Sequence, residues 1–317
     1  MDYREVLKDK QRIVIKVGTS TITHEETGNI NLEMLEKFVR ILTNLRNKGK
    51  EVIVVSSGAI GIGRHVLGLE YKPTENALRQ ACAAIGQGRL MMMYEKLFNE
   101  YSQLTAQVLL TKESITNDEC RQNAKNAFNE LLRLSVVPIV NENDAISVDE
   151  LAYGNFGDND TMSAYVAKLV GADLLILLSD IEGLYTDDPK KNPYARFVHT
   201  VNRIDDELES MGKGTGSEHG TGGMTTKIKA AKIATKAGAD MVIANGNNIY
   251  TINDIMAGKK VGTLFLAKQN QHDGENELAP EREQFRRQAK RMKKEGIKGG
   301  MNDELYGSVR TKSEDSI

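Results

Sequence analysis

Short apolar segments alternate along the chain with longer stretches in which apolar residues recur every three or four positions. The short segments are rich in β-branched residues, and we predict strands at residues 13–17, 52–55, 108–110, 136–140, 174–178, 241–244 and 263–267. Apolar strands separated by helices are typical of a parallel sheet that is covered on both faces. The pattern therefore predicts an α/β fold.

Two of the longer stretches, residues 32–45 and 123–134, have the period of an amphipathic helix. Their predicted apolar faces consist of Leu35, Phe38, Val39, Leu42 and Leu45 in the first and of Ala124, Ala127, Phe128, Leu131 and Leu132 in the second. Three predicted helices are followed by a glycine and then a strand, at Gly49, Gly171 and Gly238. A glycine at this position readily adopts the left-handed backbone conformation that commonly ends a helix.

Composition argues against several classes of function. The chain has 317 residues, 40% hydrophobic and 27% charged, which fits an ordinary soluble protein with one large domain or two small ones. A net charge of -2, 5% aromatic residues and no Trp offer little to attract or stack on nucleic acid, or to attract an anionic membrane. We therefore expect small molecules as partners, with no membrane and no nucleic acid.

The cysteines and the amino terminus indicate the compartment. Cys82 and Cys120 lie in predicted helices and are too few for a disulfide scaffold, so we expect buried, unreactive thiols in a reduced environment. Residues 1–12 are charged and lack the apolar segment of a signal peptide, and no apolar run approaches the roughly 18 residues of a membrane span. The expected localisation is cytoplasmic.

The chain changes character after the last predicted strand. Residues 1–268 form the predicted folded domain, and residues 269–317 form a polar, partly basic tail. Residues 282–298 arrange basic side chains around a thin apolar stripe, which predicts one helix in the tail. We expect a mobile, solvated tail, and the alternative is docking on a partner subunit or a weak contact with RNA.

Two glycine-containing turns follow the first two predicted strands. Lys16 ends the first strand and precedes Gly18. Its positive charge therefore lies beside a turn rich in hydrogen-bond donors, at the edge of the sheet where proteins of this class bind ligands. Residues 56–63, SSGAIGIG, follow the second strand, and their glycines allow a close backbone approach to an anion. The alternative for Lys16 is a lysine that only contacts solvent, and the alternative for residues 56–63 is a tight turn that only serves packing. Neither the Walker spacing nor the GxGxxG spacing is present.

Carboxylates and amides cluster after the predicted strand at residues 136–140. The sequence NEND occupies residues 141–144, and GDND at residues 157–160 opens another predicted helix. Burial of these groups without partners would be costly, so they predict a polar pocket. Carboxylates suit an ammonium group and amides suit a carboxylate, which together fit an α-amino acid, and Asp160 is available to orient lysines or a metal. The alternative is that Asp158 or Asn159 only caps the helix.

Two further segments have features of a nucleotide site. Ser179 and Asp180 end the most apolar predicted strand, which we expect at the centre of the sheet. The glycine-rich residues 213–223 lead into a predicted helix at residues 227–236, whose start offers backbone amides and Lys227 to phosphates. A flexible linker with a chance lysine is the alternative. The five histidines lack metal-ligand spacing, and no serine or cysteine has a partner base nearby in the sequence, so we assign no metal ligand and no nucleophile.

In order along the chain, the segments IVIKVGTS, VVSSGAIGIG, QACAAIGQGRL, VVPIVNENDAIS, GDND, LLILLSDIEGLYTDDP and GTGGMTTK resemble the motifs of the amino acid kinase family. The resemblance covers about residues 11–267. It implies an αβα sandwich with a mostly parallel, eight-stranded open sheet, with ATP in the carboxyl-terminal half and the second substrate in the amino-terminal half. The NENDA and GDND pair resembles the branch of the family whose members phosphorylate the side-chain carboxylate of L-glutamate.

The resemblance also implies roles for the matching residues, with ATP as co-substrate and Mg²⁺ as cofactor. The implied catalytic residues are Lys16 and Lys227, which stabilise the transferred phosphate, and Asp160, which organises them. The implied glutamate ligands are Ser57, Asp144 and Asn159. The implied ATP-binding residues are Lys16, Gly18, Ser179, Asp180, Thr221, Gly222, Gly223, Met224, Thr225, Thr226 and Lys227.

Expectations about partners rest on the resemblance alone. It implies the first step of proline biosynthesis, transfer of the L-glutamyl 5-phosphate product to a glutamyl phosphate reductase, feedback inhibition by proline, and a homo-oligomer of two or four subunits. Many members of the branch continue into an RNA-modification-type (PUA) domain, whereas a short polar tail follows here. We therefore expect this chain to lack that domain.

Two alternatives stay open at the level of the sequence. Another kinase of the family, acting on aspartate, acetylglutamate, carbamate or a nucleotide, would keep the glycine turns and both lysines, but the NENDA and GDND pair argues against it. A non-catalytic amino-acid or nucleotide sensor would keep the fold, but the intact Lys16, Asp160 and Lys227 argue against that alternative.

Overall fold

One eight-stranded sheet organises the residues that the computed structural model describes, which are 3–24, 26–146, 158–189, 191–192, 194–211 and 223–268. Its strands are β1 (Arg12–Val17), β2 (Glu51–Ser56), β3 (Thr105–Leu110), β4 (Val137–Glu142), β5 (Leu174–Ser179), β6 (Thr200–Val201), β7 (Asp240–Asn245) and β8 (Thr263–Phe265). They are arranged in the order β3-β4-β2-β1-β5-β7-β8-β6. The β7–β8 pair is antiparallel and the other pairs are parallel, so the predicted αβα fold with a mostly parallel sheet is confirmed.

Helices cover both faces of this sheet, and a short 3-10 helix, Glu5–Asp9, precedes β1. The α-helices are α1 (Thr19–Ile22), α2 (Leu32–Asn47), α3 (Ala59–Val66), α4 (Asn76–Asn99), α5 (Glu113–Thr116), α6 (Asp118–Arg133), α7 (Asn159–Val170), α8 (Asp206–Met211), α9 (Met224–Lys236) and α10 (Thr251–Met256). Among the described residues, no helix combines the length and apolar composition needed to cross a membrane.

The two faces of β1 serve different purposes. Ile13, Ile15 and Val17 are buried in the hydrophobic core that α2, α4 and α10 complete. Since successive side chains of a strand point to opposite faces, Lys16 points to the other face, where α7 and α9 pack on the sheet. The alternation of side chains along β1 therefore places Lys16 outside this core, on the face of the sheet that α7 and α9 cover.

The order of the strands creates a crevice beside β1. The chain runs from β1 to β2 and β4 on one side of β1, and then crosses back to β5 on its other side. In open α/β sheets, ligands bind at the carboxyl ends of the strands where the direction of winding reverses. The crevice between β1 and β5 is therefore the expected ligand site, and β5 is buried along its whole length, as its apolar sequence predicts.

Helices α3 and α4 approach each other unusually closely. A Cβ atom on Gly63 would lie 1.8 Å from the carbonyl oxygen of Cys82, and one on Gly86 would lie 1.8 Å from that of Ala59. Gly58, with φ of 104°, adopts the left-handed conformation that begins α3. Gly58 and Gly63 therefore serve the turn and the helix packing, so the alternative of a tight packing turn is correct for these two glycines.

Most elements follow the predictions, but β3 begins three residues and α6 five residues earlier than predicted, and further details differ. Gly49, Gly171 and Gly238 have positive φ angles, as predicted. The prediction missed β6, which is only two residues long. The predicted apolar face of α6 is too wide, because Phe128 and Leu132 are buried but Ala127 is exposed. Cys82 is buried as expected, whereas Cys120 is half-buried. The tail at residues 269–317 lies outside the described residues, so its predicted helix and mobility stay predictions.

Candidate active site

Three charged side chains from separate segments meet at the crevice beside β1. Lys16 comes from β1, Asp160 from the first turn of α7, and Lys227 from the first turn of α9. The Lys16 Nζ atom lies 2.7 Å from Oδ1 of Asp160, and the Lys227 Nζ atom lies 3.0 Å from Oδ2. Their side chains are only 12%, 3% and 7% exposed, in the order Lys16, Asp160 and Lys227, so water screens these ion pairs weakly.

The two lysines determine the charge state of Asp160. Burial acts to raise the pKa of its carboxyl group, because burial penalises the charged form. The positive charges of Lys16 and Lys227 and their hydrogen bonds outweigh burial and lower the pKa of Asp160 below its ordinary value of 3.8. Asp160 is therefore ionised at neutral pH. Two cations around one anion leave the three side chains with a surplus of positive charge, which attracts a further anion.

The start of α9 adds backbone donors beside this cluster. Gly223 has an extended backbone, and within the described residues no side chain caps the helix. The Thr226 Oγ1 atom donates to the Gly223 carbonyl oxygen at 2.7 Å and lies 3.3 Å from Oδ2 of Asp160. Free amides and the helix dipole attract anions at a helix start. Together with Lys227, this helix start has the properties of a phosphate site.

Ser179 and Asp180 lie at the end of β5, next to β1 in the sheet. The buried Ser179 donates through Oγ to Oδ1 of the exposed Asp180 at 2.9 Å. Gly18 lies before α1, and a Cβ atom there would be 3.6 Å from the Lys16 Nζ atom. A larger side chain at position 18 would therefore lie against the lysine.

On the other side of β1, the ends of β2 and β4 carry a network of hydroxyl and amide groups. The Asn159 Nδ2 atom donates to Ser57 Oγ at 2.7 Å and to the Ser56 carbonyl oxygen at 3.4 Å. It also donates to Oδ1 of Asn141 at 3.2 Å. Ser57 and Asn159 are therefore direct neighbours, and Asn159 is adjacent in sequence to the Asp160 that holds both lysines.

A polar cleft continues from this network. The Asn141 Nδ2 atom donates to Oε1 of Gln87 in α4 at 2.9 Å. Gln87 lines a cleft of about 220 Å³ together with Asp144, Asn143 and Ala59. The structure thus places Asp144 on the β4 side of the site, linked to Asn159 through the lining residue Gln87.

These segments match a known family in sequence. The sequence profile described as "Amino acid kinase family" matches residues 11–245, which include Lys16, Asp160 and Lys227. The chain belongs to the amino acid kinase family.

Curated relatives of this amino acid kinase include two bacterial enzymes. The glutamate 5-kinase of Clostridium perfringens (strain 13 / Type A) is 50% identical over 269 residues, which is 84% of this chain and 100% of the relative. The glutamate 5-kinase of Carboxydothermus hydrogenoformans is 53% identical over 265 residues, which is 84% of this chain and 70% of the relative. Among solved structures, UMP kinase from Ureaplasma parvum has the same fold, with a TM-score of 0.57 and 16% identity over 81% of this chain and 99% of that one.

Asp158 and Asn159 are neighbours in this amino acid kinase, but only Asp158 caps α7. The Asp158 Oδ1 atom accepts a hydrogen bond from the Thr161 backbone at 2.7 Å and so caps α7. Burial raises the pKa of the Asp158 carboxyl group, and the Thr161 hydrogen bond opposes that shift. The capping alternative is therefore correct for Asp158, whereas Asn159 turns its amide toward Ser57 and Asn141.

The sequence pattern does not single out two residues of the amide network, Asn141 and Gln87. Asn141 appeared only as one member of a polar cluster, and Gln87 appeared only within the segment QACAAIGQGRL, because a glutamine inside a helix carries no strand-end signal. Two of the predicted ATP-binding residues, Thr221 and Gly222, lie outside the described residues, whereas Gly223 to Lys227 are described.

Proposed function

We propose that this amino acid kinase transfers the γ-phosphate of ATP to the side-chain carboxylate of L-glutamate and forms L-glutamyl 5-phosphate. The observation that carries the proposal is the meeting of Lys16 and Lys227 on Asp160, directly beside Asn159 and Ser57. Curated glutamate 5-kinases at 50% and 53% identity support glutamate as the acceptor.

The chemistry needs little proton transfer. A glutamate side chain has a reference pKa of about 4.3, so the attacking carboxylate is already an anion at neutral pH and requires no general base. The obstacle is repulsion between this carboxylate and the γ-phosphate. Lys16 and Lys227 offset that repulsion and stabilise the charge on the transferred phosphoryl group, which is the main task of a protein in phosphoryl transfer. Asp160 holds the two ammonium groups in place.

In the proposed arrangement, the two substrates lie on opposite sides of β1. ATP occupies the β5 side, with Ser179, Asp180 and residues 221–227 around it. Glutamate occupies the β2 and β4 side, with Ser57, Asn159 and Asp144 as ligands. Lys16 on β1 lies between the two sides, so the carboxylate and the γ-phosphate meet at the lysines and are aligned for direct attack.

Magnesium fits this site as a companion of the nucleotide. In the part of the chain that the structure describes, no group of three or more His, Cys, Asp or Glu side chains could hold a metal ion. Both oxygens of Asp160 face lysines, so the exposed Asp180 is the carboxylate of the proposed nucleotide site that is available to Mg²⁺. When bound with ATP, the ion would be held mainly by phosphate oxygens and would neutralise part of their charge.

The proposed product also suggests partners. The family resemblance favours a glutamyl phosphate reductase as the consumer of this acyl phosphate and a place at the first step of proline biosynthesis. Inhibition by proline and assembly into a homo-oligomer are predictions that rest on the family resemblance, and a cytoplasmic location is a prediction that rests on the cysteine content.

The experiment that tests the function measures ATP consumption with L-glutamate, L-aspartate or N-acetyl-L-glutamate in the presence of hydroxylamine, which traps an acyl phosphate as a hydroxamate. We expect hydroxamate with glutamate and little with the other two acids. Turnover with aspartate or acetylglutamate instead would identify another kinase of the family. Binding of ATP and glutamate without turnover would favour a sensor.

A further inference from the structure

We propose that Gln87 binds the α-carboxylate of the glutamate substrate and that Asn141 orients Gln87 for this task. The inference rests on the proposed function, because it assumes glutamate as the acceptor. It adds a substrate-binding residue from α4, a helix that none of the predicted site residues occupies.

The direction of the amide network is set by one backbone group. The Ser56 carbonyl oxygen can only accept a hydrogen bond, so Asn159 must direct its amide NH₂ toward it. The same NH₂ faces Oδ1 of Asn141, which leaves the NH₂ of Asn141 to face Oε1 of Gln87. Each amide is thereby fixed in one of its two orientations, and the carbonyl of Gln87 is used inside the network.

The consequence is a buried donor that lacks a partner. Gln87 is 7% exposed, and among the described residues its Nε2 atom has no hydrogen-bond acceptor. A buried polar group without a partner is rare in folded proteins and indicates a missing ligand or a functional role. Because Gln87 lines the cleft next to Asp144, a small turn of its terminal amide presents an NH₂ group to whatever occupies the cleft.

The position of the cleft indicates which end of glutamate it receives. The γ-carboxylate must face Lys16 and Lys227, which lie on the β1 side. Asn141 and Asp144 follow or end β4, which is separated from β1 by β2. The cleft therefore receives the α-amino and α-carboxylate end, where Asp144 suits the ammonium group and the Gln87 NH₂ suits the carboxylate.

The alternative is that Gln87 only supports Asn141. The substitution Gln87→Glu separates the two roles, because a glutamate retains an oxygen for Asn141 and replaces only the NH₂ group by an anionic oxygen. We expect it to raise the KM for glutamate by about ten- to a hundredfold, as for a lost hydrogen bond to a charged group, and to change the KM for ATP by less than about twofold.

A change in substrate preference gives the sharper readout. The α-amide of glutamate keeps the γ-carboxylate but carries an NH₂ donor where glutamate has an α-carboxylate oxygen. We expect Gln87→Glu to lose far less kcat/KM with the α-amide than with glutamate, because the new carboxylate can accept from that NH₂. An equal loss with both substrates would show that Gln87 is merely structural and would overturn the proposal.

The matched control is Gln122→Glu, the same substitution at an exposed glutamine of α6 whose Nε2 atom donates to Asn126. We expect wild-type kinetics for this variant. If Gln87→Glu does not fold, as judged by thermal unfolding, Gln87→Met serves instead and should raise the KM for glutamate by about tenfold. Wild-type enzyme that does not phosphorylate glutamate would refute the proposed function, whereas active wild type with an unchanged KM for glutamate in the folded Gln87 variants would refute this inference alone.

Discussion

A single carboxylate, that of Asp160, holds two lysines that lie more than two hundred residues apart in the sequence. At the scale of single residues, this shared carboxylate explains how Lys16 and Lys227 are held in fixed positions in a largely buried site. Breaking a buried pair leaves an uncompensated charge, so each of the three side chains contributes to both position and stability.

Removal of either lysine tests its role at the transferred phosphate. We expect Lys16→Ala and Lys227→Ala to lower kcat by about a hundredfold or more, the typical effect of removing one group that stabilises transition-state charge. The measurement is hydroxamate formation by purified protein whose folding is checked by thermal unfolding. Lys96→Ala, at an exposed position of α4, is the control and should keep wild-type kcat. Near-wild-type kcat in either folded site variant would contradict the assignment.

Acid should weaken the contribution of Asp160 to stability. Its pKa in the folded protein lies below the ordinary value of 3.8, so its contribution is complete above that value and is lost as the pH falls through the lower, folded pKa. We expect Asp160→Asn to reduce the free energy of unfolding by about 3–5 kcal/mol at pH 7. Urea unfolding at several pH values should show a constant difference from wild type down to about pH 5 and a smaller one below 3.8. A difference that grows on acidification would contradict this account.

At the scale of elements, the close packing of α3 on α4 positions the proposed glutamate side of the site. Gly86 lies against the carbonyl group of Ala59 and immediately precedes Gln87, so the contact between the helices fixes Gln87 near the end of β2. The hydroxyl group of Tyr94, also in α4, lies 3.0 Å from Ser56 Oγ and ties the same helix to the strand end. Burial raises the pKa of Tyr94, which keeps that hydroxyl group neutral.

Alanine at the helix contact should be destabilising. We expect Gly63→Ala and Gly86→Ala each to lower the free energy of unfolding by about 1–3 kcal/mol or more, because the new Cβ atom meets a backbone carbonyl. Gly88 lies in the same helix and has open space at its Cβ position. Gly88→Ala should therefore leave stability unchanged or raise it by up to about 1 kcal/mol. Equal stability of all three variants in urea unfolding would show that the helices do not pack this closely.

The sequence predicts an element well when the pattern that identifies it is local, and poorly when the element depends on contacts between distant residues. The strands β1, β5 and β7 are predicted well because their apolar runs and the following polar or glycine residues are local features. The proposed role of Gln87 could not be predicted from the sequence pattern, because it depends on Asn141 on a distant strand and on the short distance between α3 and α4. The two residues of β6 are too few to produce any pattern.

At the scale of the whole molecule, the proposed arrangement divides the site between two substrates along the sheet, with Lys16 at the boundary. This division gives a prediction for paired variants. Ser57→Ala should raise the KM for glutamate by about tenfold with little change for ATP, and Asp180→Ala should raise the KM for ATP with little change for glutamate. Steady-state kinetics with each substrate varied in turn provides the measurement. A Ser57 variant that affects only ATP would contradict the proposed arrangement.

The convergence of Lys16, Asp160 and Lys227 is also the part of the site that the sequence could indicate only through family resemblance. Their spacing in the chain says nothing about proximity, and the strand order that brings α7 and α9 together is a property of the complete fold. Residue types at strand ends did indicate a polar, phosphate-suited edge, because the carboxyl ends of parallel strands meet there.

The central claim is that the glutamate side-chain carboxylate attacks the γ-phosphate beside these lysines. The most direct test uses L-glutamate with both side-chain carboxylate oxygens replaced by ¹⁸O, together with ATP and hydroxylamine. Hydroxylamine attacks the acyl carbon of the product and releases inorganic phosphate, which mass spectrometry can analyse. The account predicts that each released phosphate carries one ¹⁸O atom, and phosphate without ¹⁸O would show that water, not the carboxylate, accepts the phosphoryl group.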